Sequence, residues 1–201
     1  TNVLQTQVHR INQYLSQQRL ENGFFSGYYR TFNQGDLPDF NWNKGGRLTN
    51  PGIDSYQKMS KQQRLEKLRI NSEPIAEIDI KSSYLSIYLS MIGSQIPNKT
   101  DLYEVEGVDR EIVKAYITAF FGKGRSLIKW PSQSLHELEK KGIFMKSVTA
   151  KFVGERVLES IPELKRFERS GLSWADLMYR ESEGVIKTME LLRDNFNIPA
   201  F

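Results

Sequence analysis

A helix-rich α/β fold of the α+β kind is predicted by this sequence on three observations. The run Ile75-Ala76-Glu77-Ile78-Asp79-Ile80 is short, apolar and flanked by Pro74 and Lys81, as a buried strand would be. Residues 22–57 are rich in Gly, Asn, Asp and aromatics, which predicts irregular or β-hairpin structure. From residue 133 onward apolar residues recur at helical spacing, so helices dominate that half.

In chain order, Val3, Leu4, Val8, Ile11 and Leu15 predict an amphipathic helix over 2–20. Gly45-Gly46 marks a turn or a close backbone approach. Ser60 is the expected N-cap of a helix reaching Arg69. The strand at 75–80 feeds a helix over about 81–92 that stops at Gly93. After a connector at 94–108, Asp109 caps a helix running to about Phe121, and Gly122-Lys123-Gly124-Arg125 forms a loop. Helices follow at 133–141, 143–160, 163–168 and 174–195, with Gly154 and Gly184 interrupting two of them. Ile198 to Phe201 predicts a final strand.

At 201 residues the chain builds one large domain or two small ones. Lys and Arg number 28 against 24 Asp and Glu, a net charge of +4 that permits a polyanionic partner without demanding one. There is no cysteine, which excludes disulfides, thiolate zinc sites and a cysteine nucleophile. No apolar run approaches a membrane span, and no secretory signal opens the sequence, so no membrane is expected as partner and a cytoplasmic location is. His9 and His136 lack the partner spacing of a metal site or a triad.

Asp79 is the residue that points to chemistry. A carboxylate at the end of an apolar strand is costly to bury unless a cation or donors meet it. Hard cations such as Mg2+ favour such oxygens. The plainer alternative is a helix N-cap. Some thirty residues later, Arg110 and Lys114 lie one turn apart and share a helix face. A metal-binding carboxylate followed by a basic helix is what transfer of a nucleotide from a triphosphate requires; an ordinary solvated face is the alternative for the two cations.

The string from Asp79 to Ile87, D-x-x-S-x-Y-x-S-I, resembles motif A of the right-hand palm polymerases. The resemblance implies that Asp79 binds the catalytic metals, with the Ile80 carbonyl as a second ligand, and that Tyr84 packs under the incoming sugar and screens its 2′-hydroxyl. Arg110-x-x-x-Lys114 on a helix ending in Phe121-Gly122 resembles motif B of the fingers. There the two cations grip the triphosphate, Lys114 protonates the departing pyrophosphate, and Phe121 with Gly122 shapes the base-pair pocket. Gly45-Gly46-Arg47-Leu48 is similar to the T-G-R-L segment before motif A in family A DNA polymerases, where the Arg contacts nucleic acid. The resemblance extends that role to Lys123 and Arg125. Leu177 to Leu192, with Glu181-Ser182-Glu183, resembles the long palm helix before motif C.

Family B shares the spacing around Asp79 and Lys114, but this chain departs from it at Leu85, Thr118, Ala119 and Phe121. Arg47, Arg110 and the helix at 174–195 favour a divergent family A-like group of phages, plasmids and other mobile elements, some acting as primase-polymerases. Motif C, which carries the second metal carboxylate, is missing and would follow Phe201; the resemblance therefore implies a palm with helical fingers that lacks its C-terminal part. The implied segments are 1–43 as accessory helix and aromatic region, 44–93 as palm, 94–142 as fingers and 143–201 as helical return to the palm. Mg2+ or Mn2+ as cofactor, dNTPs as substrates, DNA template and primer or single-stranded DNA, and replication proteins as partners follow from the same resemblance. The alternatives are a degenerate, non-catalytic nucleic-acid-binding replication module and a protein-interaction domain with chance motif matches.

Overall fold

A computed structural model describes residues 2–95, 101–145 and 148–201. Its elements run α1 (Asn2–Leu15), β1 (Leu20–Glu21), β2 (Tyr29–Phe32), β3 (Gly45–Thr49), α2 (Lys61–Lys67), β4 (Arg69–Ile70), β5 (Glu73–Pro74), α3 (Ser83–Met91), α4 (Arg110–Lys123), α5 (Ser132–Lys140), α6 (Ala150–Ser160), α7 (Leu164–Phe167) and α8 (Trp174–Phe196). The fold is mixed, with helices alongside small antiparallel sheets. Among the described residues no helix is long and apolar enough to cross a membrane. The chain divides into two compact units, residues 1–79 with 178–201, and residues 80–177.

The first unit is built on α1, two small sheets and α8. Ile11 and Leu15 of α1 join Tyr28, Tyr56, Leu68, Ile186 and Met189 in its core. The Asn12 side chain fastens α1 to the chain entering β2: it donates to the Tyr28 carbonyl at 2.8 Å and accepts from the Tyr28 N–H at 2.7 Å. The hydroxyls of Tyr28 and Tyr56 pair in the core, and burial pushes the ionisation of both above its ordinary range.

α2 begins where its cap predicts. The Ser60 hydroxyl accepts from the Gln63 N–H while the Gln63 side chain accepts from the Ser60 N–H, a reciprocal capping box. The strand expected over 75–80 is absent, and the pairing lies earlier. β4 and β5 form a hairpin around Asn71 and Ser72, both at positive φ (53° and 72°), the backbone of a type I′ turn. Pro74 ends the ladder because it has no N–H to donate. Residues 75–80 then carry no strand, and Ile78 is 90% exposed. Ile198 to Phe201 is likewise not a strand; the Phe201 ring packs against the first unit's core, edge-on to Phe25 at 5.0 Å.

The second unit is organised by α4. Its buried residues are Ile112, Val113, Tyr116, Ile117, Phe120 and Phe121, a stripe at helical spacing. Asp109 caps it as expected, accepting from the Glu111 N–H at 2.8 Å. The C-terminus falls later than expected, because Gly124 at φ +71° and not Gly122 supplies the left-handed cap. The helix expected from 143 begins only at Ala150, capped by Thr149. Gly154 does not break α6. It admits Tyr116: a Cβ at 154 would sit 2.4 Å from the Tyr116 hydroxyl, which also accepts from the Leu127 N–H. Gly184, inside α8, has nothing within 4 Å of where a Cβ would stand.

The two glycines therefore differ in what they do. Gly154→Ala is expected to destabilise the protein by about 1–3 kcal/mol through overpacking. Gly184→Ala is expected to stabilise it by roughly 0.5–1 kcal/mol, as alanine does at an exposed helix interior. Urea unfolding followed by circular dichroism checks both; equal effects would mean that the α4–α6 approach is not tight.

Candidate functional site

In the first unit, two segments singled out in the sequence meet. β2 pairs antiparallel with β3, Thr31 opposite Arg47 and Phe32 opposite Gly45, so a bulge leaves Gly46 without a partner residue. Gly45 and Gly46 both have positive φ (78° and 81°). A Cβ at Gly45 would lie 2.1 Å from the Asn33 side chain, and one at Gly46 would lie 2.6 Å from the Arg30 guanidinium. Only glycine suits either position.

The Gly46 carbonyl accepts from Arg30 Nε at 2.8 Å and from the Ser182 hydroxyl on α8. Arg30, with a side chain only 3% exposed, forms an ion pair with Glu183 at 2.9 Å. The facing Nη2 and Oε1 atoms are buried and lack hydrogen-bond alignment, so their attraction is mainly Coulombic. Arg30 also lies over the Phe32 ring, 5.0 Å from its centre, and 5.7 Å from that of Tyr179. Arg47, half exposed, is held by Glu181 at 2.6 Å. Gly-Gly-Arg and Glu-Ser-Glu are thus one structure: a bulged turn seated on α8, presenting Arg47 at its rim.

Asp79 ends this unit and Ile80 opens the other. The structure corrects the expected surroundings of both. Asp79 is exposed rather than buried at a strand end, and it does not cap α3; Ser82 at φ +50° occupies the cap position without a side-chain bond. Ile80 is half exposed. Hard oxygen donors of this kind, a carboxylate and a neighbouring backbone carbonyl, suit Mg2+ or Mn2+ with water or phosphate completing the shell. Among the described residues no group of three His, Asp or Glu side chains gathers as a metal cage.

In the second unit, Arg110 and Lys114 lie on the exposed face of α4, opposite the buried stripe. Arg110 is held from two sides, by the Asp101 carboxylate through Nε and by Glu111 through Nη1 at 2.8 Å. Its guanidinium lies 5.6 Å from the Tyr103 ring centre. Lys141, thirty residues along the chain, pairs with the other Glu111 oxygen. The Tyr103 N–H and Arg110 together hold the Asp101 carboxyl below its ordinary range, and Lys141 chiefly does the same for Glu111, with help from Arg110 and Lys114. Four cations, Lys81 among them, therefore act on two carboxylates at this face.

Tyr84, on α3, is partly buried and meets Phe121 edge-on with ring centres 6.5 Å apart. Phe121 is not at a surface. It is 1% exposed and packs against Tyr88 and Phe167, so it backs Tyr84 instead of facing a base pair. Gly122 lies inside α4, exposed, with open space where a Cβ would stand. Lys123 and Arg125 are exposed around the Gly124 cap.

The sequence offered no sign of Arg30, Glu183 or Lys141 as partners, since each pairs across a long stretch of chain. The Arg64–Glu77 pair was equally hidden; it is bidentate, at 3.1 and 2.9 Å, and holds the Glu77 carboxyl below its ordinary range. No family model, curated protein or solved structure matches this chain.

The α4 network has a pH signature. Folding depresses the Asp101 pKa below its ordinary 3.8, so the stabilisation is complete above that value and is lost as pH falls through the folded pKa. Asp101→Asn keeps an acceptor for the Tyr103 N–H but loses the charge facing Arg110 and Lys81. The variant is expected to be less stable than the parent at pH 6, with the gap closing as pH falls below about 4. A urea-midpoint series from pH 3 to 7 checks this; a gap independent of pH would contradict it.

Proposed function

We propose that this chain belongs to a template-directed nucleotidyltransferase, a divergent family A-like DNA polymerase or primase-polymerase with a palm and helical fingers. The observation that carries the proposal is α4. It sinks one face into the core and holds Arg110 and Lys114 one turn apart on the other, with Arg110 kept charged and oriented by Asp101 and Glu111. Such a face suits a triphosphate, whose oxygens accept from a guanidinium fork and from an ammonium.

In the reaction the 3′-hydroxyl oxygen of a primer bonds to the α-phosphorus of a nucleoside triphosphate, and the bond to the β-phosphate bridging oxygen breaks. Arg110 and Lys114 hold the triphosphate, and Lys114 gives a proton to the departing pyrophosphate. Asp79, with the Ile80 carbonyl, would hold a divalent cation; when bound, the cation supplies charge stabilisation and a more acidic 3′-hydroxyl. Tyr84, braced by Phe121, excludes the 2′-hydroxyl of a ribonucleotide. Arg47, fixed by its bulged turn and Glu181, contacts the nucleic-acid backbone, as do Lys123 and Arg125.

Primer extension with Mg2+ or Mn2+ on a primed DNA template tests the proposal. Asp79→Ala and Lys114→Ala are each expected to lower extension at least about a hundredfold while leaving the fold intact. Tyr84→Ala is expected to raise ribonucleotide use relative to deoxynucleotide use. A parent protein that binds DNA but extends nothing would instead assign the chain to a non-catalytic replication module.

A further inference from the structure

The first unit carries an open cleft of about 440 Å³ that none of the roles above uses, lined by Leu48, Tyr56, Gln57, Arg64, Glu77 and Phe201. Its volume falls among those of small-ligand sites, which run roughly 300–1,000 Å³. One wall is aromatic: the Tyr56 and Phe201 rings stand 6.1 Å apart at 83°, and Phe201 is only partly buried. Facing them is a polar pair held flat. Arg64 donates through Nε and Nη2 to both Glu77 oxygens and through Nη1 to the Met59 carbonyl at 2.7 Å. A guanidinium fixed in this way offers a planar face and remaining N–H groups at no further ordering cost.

The charge of the adjoining chain decides which ligand fits. Between residues 58 and 69 there are five cations, Lys58, Lys61, Arg64, Lys67 and Arg69, against one carboxylate, Glu66, and Glu77 inside the cleft adds a second, so a net positive charge remains. Lys61 also reaches the cleft edge, 4.0 Å from Glu77. An aromatic wall beside a basic segment is the combination that binds single strands: bases stack on rings and phosphates lie along cations. An acidic peptide would use the cations but leave the aromatic wall without a partner.

We infer that this cleft is a single-strand nucleic-acid subsite, in which one unpaired base stacks at Phe201 and the flanking phosphates lie along Arg64 and Lys61. The subsite belongs to the first unit alone and needs neither Asp79, a metal nor a triphosphate. Failure of primer extension leaves it standing, and its failure leaves the nucleotidyl-transfer reading standing.

The test is titration of the 201-residue protein with a short single-stranded oligonucleotide carrying one 2-aminopurine, without metal or nucleotide, read by fluorescence quenching and by anisotropy. The parent is expected to bind and to quench the probe by stacking. Phe201→Ala is expected to weaken binding about fivefold or more and to abolish quenching. Phe201→Leu keeps an apolar group against Phe25 and Tyr56 but has no π-face; it should still fold and melt cooperatively, yet lose the quenching. Lys61→Gln should weaken binding about twofold to threefold and flatten its salt dependence. No binding by the folded parent, or unchanged binding and quenching in Phe201→Leu, would overturn the assignment.

Discussion

The buried pairing of Arg30 with Glu183 is the interaction on which the first unit's candidate chemistry depends. A charge with its side chain 3% exposed is tolerable only beside an opposite charge, and Glu183 provides one at 2.9 Å. Once Arg30 is placed, its Nε fixes the Gly46 carbonyl, and its bulk explains why residue 46 lacks a Cβ. Ser182 reinforces the same carbonyl from α8. Arg47 then leaves the bulge at the rim, where Glu181 steadies it. Three consecutive residues of α8 thus hold Arg47, the Gly46 carbonyl and Arg30 of the neighbouring strand: Glu181, Ser182 and Glu183 in turn.

The second unit solves a related problem with surface charge. α4 gives one face to the core, so its cations must share the other. Like charges one turn apart repel, and long side chains lose entropy when held. Asp101 and Glu111 offset both costs before any ligand arrives, and Lys141 balances the second carboxylate. Under the proposed function a triphosphate would exchange the carboxylate partners of Arg110 for phosphate ones. Exposed ion pairs contribute little to stability, so this arrangement serves orientation more than folding.

Much of the fold was legible because local chemistry governs it. Ser60 and Asp109 cap the helices they were expected to cap, and Gly45-Gly46 marks a close approach in fact. The strand expected at 75–80 fails because a short apolar run does not by itself establish burial: Ile78 is 90% exposed. The Asn71-Ser72 turn and Pro74 complete a hairpin just upstream and leave that segment without a ladder partner. Phe121 could not be placed by motif alone, since the helical stripe that buries it outweighs its position beside Gly122. The long-range ion pairs, Arg30 with Glu183 and Glu111 with Lys141, leave no trace in local spacing. Those are the contacts that assemble the candidate site.

A double-mutant cycle between Arg30→Met and Glu183→Met, read by urea unfolding, tests most directly whether the buried pair fastens the Gly-Gly-Arg turn to α8. Glu183→Met strands the buried Arg30 and is expected to cost roughly 3–5 kcal/mol, whereas Arg30→Met is expected to cost less because the Glu183 side chain is 22% exposed. The double variant is expected to cost less than the sum of the two by at least about 1 kcal/mol. Strict additivity would mean that the two charges do not support one another, and that the turn is held to α8 by something else.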